Sequence, residues 1–471
     1  MWAVIVGLLS FTGQPIAADT LRPLTDTTNR VVTVNRILII GNKVTRENII
    51  SRELDVKSGD TISMHRLIKL VEQDQRKIYN LRLFNKVEVR WLPITQYQVD
   101  LLVDVSERWY TFPVPIFELS DRNFNEWWQN YNHDLRRVNF GLHMYQYNFR
   151  GRNETLRLTT QFGFTRRFEL SYRIPYIDQK QKHGLIFDLS YSEPRNLAYF
   201  TDDHKLVFRR DEKKLRTTFL KGLSYTFRKN FYQTHIFQYQ HINSSVSDSI
   251  LFFNPNFFVE SNRQQDYSVL RYLFNSDHRD VMAYPLKGFQ FTAIIAKSGL
   301  GSGTVNLWEI NASYSRFADL GHNYYLSNYT AGYVSSPNNQ PYSLYGALGY
   351  KRLLVKGYEV YVIEGPFYFL NKTTLRKKIL SRTWEINGLG IEQFQYFPLA
   401  IYLKSYLDIG YVENYPYYQQ LDLNTRLSNR LLAGAGAGLD IVTAYDAVIR
   451  LEYTFTREKT QGFFLHMRKE F

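Results

Sequence analysis

The chain has 471 residues, with 36 Tyr, 33 Phe, no Cys and a formal net charge of +14 at pH 7. This length exceeds one ordinary domain. The absence of Cys excludes disulfides, thiolate metal sites, thiol catalysis and a lipidated N-terminal cysteine. The Lys and Arg residues are scattered along the chain rather than clustered, which argues against a nucleic-acid site.

The N-terminal residues 1–18 predict a secretory signal peptide. Residues 2–11 form a short apolar core, and Ala17 and Ala18 are small enough for cleavage, although the usual basic n-region is missing. A retained anchor is the alternative, but this core is too short to span a bilayer comfortably. Residues 19–30, rich in Thr, Asp and Asn, are predicted to be a linker.

Residues 31–108 predict a small α/β unit in the order β-α-α-β-β. An apolar strand over 31–40 ends at the turn signal Gly41-Asn42, and Thr45 can cap a helix through about Leu54. Ser63 can cap a second helix, which carries an apolar face. Two alternating strands follow. The apolar residues are Leu67, Leu70, Val71 and Ile78 on the helix, and Val87, Val89, Trp91, Val99, Leu101, Val103 and Val105 on the strands.

Several short motifs, in this order and spacing, resemble a polypeptide-transport-associated (POTRA) domain. They are Ile39-Ile40-Gly41-Asn42, Arg52-Glu53-Leu54, Gly59-Asp60, Leu81-x-Leu83-Phe84-x-x-Val87 and Val99-Asp100-Leu101-x-Val103-x-Val105-x-Glu107. A sheet with helices on one face leaves an edge that can pair with an extended client strand. The resemblance implies that this edge is the second strand, over 84–92, with residues Phe84, Val87, Val89 and Trp91. The alternative is that the domain is only a spacer.

From residue 109 to residue 471 the chain alternates in hydrophobicity between turn signals. Sixteen candidate strands occur, an even number typical of an antiparallel transmembrane β-barrel whose tilted strands need about ten residues each. A large soluble β-protein is the alternative. The strands begin near Tyr110, Arg136, Asn153, Arg166, Gly184, Arg216, Phe231, Tyr267, Gly288, Val305, Tyr324, Thr383, Ala400, Leu431, Asp446 and Gln461.

The first and last of these strands predict a weak seam in the barrel. The last strand alternates and ends on Phe471, as expected of a strand that sets an aromatic residue at the membrane–water interface. The first strand contains Pro113 and Pro115, which lack amide donors and can form few ladder hydrogen bonds. We therefore assign Pro113, Pro115, Ile116, Leu465 and Phe471 to the seam.

A long insertion, at about 335–381, separates two of the late strands. Such an insertion is either a surface cap or a loop folded into the lumen. In the next strand Tyr406, Asp408 and Gly410 share the inward parity, and an inward carboxylate requires a cationic partner. Further on, Gly434, Gly436 and Gly438 leave space beside the inner wall.

Two of these segments resemble an outer-membrane insertase and translocase superfamily, which includes the central barrel of the β-barrel assembly machinery and the two-partner secretion transporters. Val355, Lys356, Gly357 and Tyr358 resemble the Val-Arg-Gly-Phe/Tyr tip of a lumen-folded external loop, and 406–410 resembles a Phe-x-Asp-x-Gly motif. Residues 150–156 and 279–288 also match, so the resemblance covers 31–471. It implies a Lys356–Asp408 pair, without the bidentate fork of arginine; Arg352 is a candidate assistant.

The motifs of common enzymes are missing from the chain. It has no His-Glu-x-x-His, no Gly-x-Ser-x-Gly and no P-loop, and its ten His residues lack metal-ligand spacing. We expect no enzyme activity, no cofactor and no metal. The resemblance implies a bacterial outer-membrane barrel with a periplasmic POTRA domain that inserts or exports client polypeptides without nucleotide. Outer-membrane lipids and periplasmic accessory proteins or chaperones are the other expected partners. The alternative is a passive pore or structural barrel with a docking domain.

Overall fold

A computed structural model describes residues 30–119, 138–300, 305–350, 353–385 and 396–469. The predicted signal peptide, residues 19–29 of the predicted linker, Arg352 and Phe471 lie outside these residues. The described chain consists of a small α/β domain followed by a sixteen-stranded antiparallel sheet. No helix among the described residues is long and apolar enough to cross a membrane.

The N-terminal domain is a four-stranded sheet with two helices. In chain order its elements are β1 (Val31–Ile40), α1 (Glu47–Ser51), β2 (Thr61–Ser63), α2 (Met64–Asn80), β3 (Phe84–Pro93) and β4 (Gln98–Glu107). The strands lie in the order β2-β1-β4-β3, and β1 and β4 are parallel. The sequence prediction lacked β2, because three residues are too few for an alternation to be recognised.

The two helices cover one face of this sheet. Leu67 and Ile78 of α2 are buried against Val34 and Leu101 of the strands, in a single apolar core. The predicted Thr45 cap is wrong: the Thr45 hydroxyl instead accepts a hydrogen bond from the Asn148 side-chain amide at 2.8 Å, and α1 begins only at Glu47. Strand β3 lies at the free edge of the sheet.

The second part of the chain contains all sixteen predicted barrel strands, together with two additional hairpins. β10–β11 and β18–β19 form the hairpins, and the other strands pair with their neighbours in chain order. Two short helices, α3 (Asp248–Phe253) and α4 (Pro416–Gln420), lie between strands. The strands are β5 (Thr111–Leu119), β6 (Val138–Phe149), β7 (Glu154–Gly163), β8 (Thr165–Ile174), β9 (His183–Pro194), β10 (Asn196–Asp202), β11 (Lys205–Arg210), β12 (Arg216–Arg228), β13 (Gln233–Val246), β14 (Gln264–Asp277), β15 (Gly288–Ser298), β16 (Leu307–Gly321), β17 (Tyr324–Ser336), β18 (Ala347–Leu348), β19 (Ile363–Glu364), β20 (Phe367–Glu385), β21 (Tyr396–Glu413), β22 (Leu431–Thr443), β23 (Ala447–Thr456) and β24 (Gln461–Lys469).

The insertion before β20 is shorter than the sequence indicates. Strand β20 begins at Phe367 rather than near Thr383, so the connection, here called the lumen loop, comprises residues 337–366. The alternation of β20 is hidden because both parities carry polar residues: Asn371 and Thr373 on one face, Lys372 and Thr374 on the other. The predicted boundary at residue 381 therefore lies inside the strand.

Rows of directly paired residues identify the two faces of the sheet, because cross-strand partners lie on the same face. One row, Leu403–Leu439–Leu451–Leu465, has exposed side chains at Leu403, Leu439 and Leu465 and faces lipid. The adjacent row, Lys404–Gly438–Glu452–Phe464, has buried charges and faces the lumen.

The same parity places the predicted seam residues on different faces. Ile116 is buried and pairs with Gly141, whereas its neighbour Phe117 is 71% exposed and pairs with the exposed Phe140. Ile116 therefore faces the lumen, while Leu465 faces lipid. These two positions cannot face each other across the seam, so the lumen-facing residues of β24, Phe464 and His466, are the partners to consider.

Candidate functional site

The tip of the lumen loop, residues 355–358, fits into a recess of the barrel wall. Val355 and Tyr358 are almost completely buried, and Gly357 has a left-handed φ of 90°. A Cβ atom on Gly434 would lie 1.9 Å from the Lys356 carbonyl oxygen, and one on Gly410 would lie 2.5 Å from Val355 Cγ2. The loop tip thus occupies the space beside Gly410 and Gly434, whereas the Tyr406 hydroxyl lies beside Gly436.

The predicted side-chain pair between Lys356 and Asp408 is not formed. The Lys356 backbone amide donates to Asp408 Oδ2 at 3.2 Å, and Lys372 Nζ lies 3.5 Å from the same oxygen. The Lys356 side chain extends further, over the Tyr406 ring at 3.6 Å from its centroid, to Glu452 Oε1 at 3.3 Å. Asp408 is thus contacted by the backbone of residue 356, whereas the Lys356 side chain reaches a carboxylate on β23.

The loop tip belongs to a buried charge cluster. Lys404 contacts Asp440 and also lies 2.6 Å from Glu452. Together with Lys356, Lys372 and Asp408, these residues supply three ammonium groups and three carboxylates. Asp408, Asp440 and Glu452 are at most 2% exposed. Arg376 and Arg450 also lie 3.8 Å from Asp440. Burial of an unpaired charge is costly, so the surrounding cations allow these buried carboxylates to hold the loop by ionic contacts.

The sequence alone did not identify Glu452 and Lys372 as members of the cluster. Glu452 lies on the inward parity of β23 with Arg450 and Thr454, a polar pattern that could have indicated it. Lys372 was assigned to the insertion, where no parity could be given to it.

Within the described residues, no group of three or more His, Asp or Glu side chains could hold a metal ion.

Tyr358 connects the loop tip to the last hairpin of the barrel. Its hydroxyl donates to the carboxylate of Glu458, which lies in the turn between β23 and β24. The Tyr358 hydroxyl also lies 3.4 Å from the Ala433 carbonyl oxygen on β22. The loop therefore contacts both the wall near Asp408 and the hairpin that ends at the seam.

The seam lies between β5 and β24, which are the two ends of the sixteen-stranded order. Among the described residues no strand pairing joins them. One hydrogen bond between the start of β5 and β6 shows which backbone groups of β5 bond to β6. The Tyr147 amide on β6 donates to the carbonyl of Tyr110, the residue before β5, at 2.8 Å, and the next pair in register is Thr111–Gln146. Because hydrogen-bonded and non-hydrogen-bonded pairs alternate, the even-numbered residues of β5 bond to β6.

The odd-numbered residues of β5 consequently direct their backbone groups toward the seam. Pro113 and Pro115 are odd-numbered, so both prolines remove amide donors from the seam edge and none from the ladder with β6. On β24, the neighbouring bond from the Thr456 amide to the Thr460 carbonyl at 2.9 Å places the odd-numbered residues, including Leu465, at the seam edge. The seam edge of β5 thus lacks two amide donors with which the carbonyl groups of β24 could form hydrogen bonds.

The predicted client-strand edge is β3, and most of its predicted side chains serve the core. Phe84, Val87 and Val89 are buried, whereas Trp91 is 38% exposed. Two backbone groups of β3 already have side-chain partners. The Val89 amide donates to Gln75 Oε1 at 3.1 Å, and the Phe84 carbonyl accepts from Arg108 Nε at 2.8 Å. An added strand would therefore meet the freer end of β3, near Trp91.

The N-terminal domain is fastened to the turns at one end of the barrel. Glu53 accepts two hydrogen bonds from the Arg228 guanidinium, at 2.7 and 2.9 Å. Arg108 forms a buried pair with Asp446 at 2.8 Å. The Gly151 carbonyl, in the matched 150–156 motif, accepts from the Arg46 amide at 2.9 Å. That motif therefore holds the domain.

Comparison with protein families identifies both parts of the chain. Residues 32–108 match the family described as POTRA, surface antigen variable number repeat, and residues 148–471 match the Omp85 superfamily domain. The chain belongs to the Omp85 superfamily. It is an outer-membrane β-barrel protein with a periplasmic POTRA domain, in a superfamily of proteins that insert or secrete polypeptides.

Solved structures with a similar fold include BamA from Haemophilus ducreyi lacking POTRA domains 1-3, at 15% identity and a TM-score of 0.49, covering 93% of this chain and 85% of that one. CdiB from Acinetobacter baumannii matches at 12% identity and a TM-score of 0.47, covering 93% and 73%. CdiB from Escherichia coli matches at 10% identity and a TM-score of 0.47, covering 95% and 92%. Comparison with curated protein sequences finds no match.

Proposed function

We propose that this protein inserts or exports client polypeptides through the β5–β24 seam, without nucleotide, enzymatic chemistry or a cofactor. The observation that carries the proposal is the seam edge of β5, where Pro113 and Pro115 remove donors on the side directed toward β24. A barrel whose ends pair poorly exposes a strand edge that can template an incoming strand.

The energetic reason lies in the unequal edges. In hydrocarbon, an unsatisfied backbone carbonyl costs several kcal/mol because no water can replace the missing donor. When β5 closes the barrel, the carbonyls of β24 that would face Pro113 and Pro115 remain without a hydrogen-bond donor. A client strand without proline supplies those donors, so replacing β5 by the client is favourable. Burial of the client in lipid then provides the remaining free energy.

The loop tip has a role in the same proposal. Tyr358 contacts the turn that leads into β24, and Lys356 contacts Glu452 one strand further in. A seated loop thus supports the last hairpin while the seam is unpaired. The POTRA domain would receive clients from the periplasm at the free part of β3, and periplasmic accessory proteins or chaperones could deliver them there. Outer-membrane lipids would surround the barrel.

A disulfide across the seam tests the proposal, because the chain has no Cys background. Cysteine at Ile116 combined with cysteine at Phe464 or His466 places both thiols on the lumen face. Oxidation should stop client assembly, and reduction should restore it, while the protein still folds and reaches the membrane. The matched control combines Ile116 with Leu465, which face opposite sides and should not cross-link.

The outcome separates the remaining alternatives. If a cross-linked seam leaves client assembly unchanged while tethering Val355 to the wall near Asp408 stops it, clients pass through the lumen. If neither tether alters client assembly, the protein is a passive pore or a structural barrel with a docking domain. Neighbouring cysteine positions on the same face cover every register of β5 against β24.

A further inference from the structure

The turn between β14 and β15, residues 278–287, contacts the POTRA domain on its outer side. Asn80, the last residue of α2, donates from its side-chain amide to the Asp280 carbonyl at 3.0 Å. The Asn80 side-chain oxygen accepts from the Met282 amide at 3.2 Å. Arg279 braces the turn, with 2.8 and 2.6 Å bonds to Asp277 and a 3.2 Å bond to the Met282 carbonyl. Helix α2 and this turn are therefore joined by a reciprocal pair of hydrogen bonds.

The inner side of the same turn enters the lumen. Tyr284 is 7% exposed, and its hydroxyl donates to Asp440 Oδ2 at 2.8 Å. The Tyr284 ring lies 4.8 Å from the Tyr402 ring and 5.1 Å from the Arg376 guanidinium, measured between centres. A residue of a periplasmic turn thus ends on one of the three buried carboxylates of the charge cluster.

From Asp440 the contacts continue without a break to the loop tip. Lys404 lies between Asp440 and Glu452, and Glu452 Oε1 forms an ion pair with the Lys356 ammonium group at 3.3 Å. We call Tyr284, Asp440, Lys404, Glu452 and Lys356 the polar relay. Its members are buried or nearly so, and loss of one buried partner leaves the next with an unmade hydrogen bond.

We propose that the polar relay couples the seating of the loop tip to the docking of the POTRA domain, with Tyr284 as the positioning residue. A displacement of the POTRA domain that moves α2 also moves the β14–β15 turn, through the two hydrogen bonds of Asn80. Withdrawal of Tyr284 removes a donor from Asp440, which then draws Lys404 away from Glu452. Glu452 is left with Lys356 as its remaining contact in the relay and therefore holds the loop tip more strongly. This inference deepens the proposed function by adding its regulation, and it rests on that function only for its biological meaning.

The coupling can be measured in the purified protein without any client. Val355 is 1% exposed, so Val355→Cys reports the loop tip through its reaction with a thiol reagent, which requires an unseated loop. Loss of the Tyr284 hydroxyl should decrease the labelling rate of Val355→Cys in a Tyr284→Phe variant roughly fivefold to tenfold, the effect of about one buried hydrogen bond. Tyr325→Phe is the matched control, because Tyr325 packs in the same aromatic cluster and, within the described contacts, does not bond Asp440.

The decisive variant is Asn80→Ala, which changes only the POTRA end of the pathway. It should also lower labelling at Val355→Cys, and combining it with Tyr284→Phe should add nothing further. Unchanged labelling in Asn80→Ala, or equal decreases in Tyr284→Phe and Tyr325→Phe, would overturn the coupling. Client assembly is measured separately, so a failure of the seam proposal does not alter this result.

Discussion

At the level of single residues, the glycines of the inner wall decide whether the loop tip can sit there. Gly434→Ala places a methyl group 1.9 Å from the Lys356 carbonyl, a distance that no rotamer change relieves. We expect this overpacking to cost roughly 1–3 kcal/mol of loop seating. Protease digestion of the lumen loop in the purified barrel should show it.

Gly332→Ala is the control for that substitution. Its Cβ would lie 3.9 Å from the nearest atom, the Tyr368 carbonyl oxygen, so the loop should keep its resistance to protease. Equal digestion of the two variants would mean that the recess at Gly434 does not hold the loop tip.

The partner of Lys356 is tested by charge exchange. Lys356→Glu should impair client assembly, and adding Glu452→Lys should partly restore it, because the two side chains lie 3.3 Å apart. Restoration should be partial, since Lys404 also contacts Glu452. Combining Lys356→Glu with Asp408→Lys should not restore activity, because Asp408 meets the backbone amide of residue 356. The reverse ranking of the two double variants would contradict the observed pairing.

The sequence predicted the seat of the loop but not its ionic partners. Alternation placed Tyr406 and Asp408 on the inward face, where they are buried, and glycine at 434 indicated the recess. The Lys356–Asp408 pair was implied by the family resemblance. Parity could not point to Glu452 instead, because it gives the face of a residue but not its neighbours across tilted strands. The identity of that partner depends on the position of the loop backbone, which no local pattern contains.

At the level of the elements, the weakness of the seam is attributed to one strand, β5, because both prolines lie on it. Replacing Pro113 and Pro115 by Thr and Val restores two amides on the seam edge. Each new bond to β24 should contribute about 1 kcal/mol. We expect slower client assembly. We also expect that the purified variant must be heated to a higher temperature before its compact form disappears from gels. Faster assembly in the double variant would rule out a weak seam as the cause of activity.

A second prediction at this level concerns the outer loops, where the hairpin β10–β11 meets the lumen loop. His204 Nε2 accepts from the Leu427 amide at 2.8 Å, and the His204 carbonyl accepts from the Val362 amide at 2.8 Å. Burial, followed by the nearby Arg426, lowers the pKa of His204 from 6.5 to about 4; Arg430 also lowers it and Asp203 raises it.

Between about pH 4 and 6.5, His204 therefore binds a proton when the loops are released but stays neutral when they are docked. The docking stabilisation from neutral His204 should be complete above about pH 6.5 and fall as the pH decreases toward 4, by roughly 3 kcal/mol in total. Limited proteolysis of the outer loops across this range measures the effect. His204→Gln, which does not titrate, should abolish the pH dependence; an unchanged profile would assign it to another group.

The pattern of strands was predictable from sequence to a greater extent than their ends. Fifteen of the predicted starts lie close to the observed strands, because alternation is repeated along each of them. Strand β20 was placed sixteen residues late, from Thr383 instead of Phe367, since Asn371 and Thr373 interrupt its lipid-facing parity. The hairpin β10–β11 was missed because its short strands lie outside the barrel and need no alternation.

At the level of the whole molecule, the buried Glu53–Arg228 contact fastens the POTRA domain to the barrel. Arg228→Met leaves Glu53, which is 3% exposed, without its bidentate partner. Breaking such a pair typically costs roughly 3–5 kcal/mol. The variant should release the domain, measured as increased labelling of a cysteine introduced at Thr45, which is 2% exposed and whose hydroxyl accepts a hydrogen bond from Asn148 at the interface.

The exposed pair Lys86–Glu88 provides the control, since both side chains are more than a third exposed. Glu88→Ala removes the pair and leaves the contact of Lys86 with the Tyr396 ring on β21, so it should change domain docking by well under 1 kcal/mol, as is usual for surface pairs. Similar release in both variants would show that the domain is held by apolar contact alone.

The docking contacts of the POTRA domain also determine an order of folding. Arg108 pairs with Asp446, which lies 338 residues later, and Asn80 bonds residues about 200 positions away. Contacts of such long sequence separation form late, because chain closure must precede them. The domain that is synthesised first can therefore complete its docking only after β22 and the turn that follows it have been made. A barrel truncated before Asp446 should retain the Arg228 and Asn80 contacts but leave Arg108 without its partner, so full docking distinguishes a nearly completed molecule from an unfinished one.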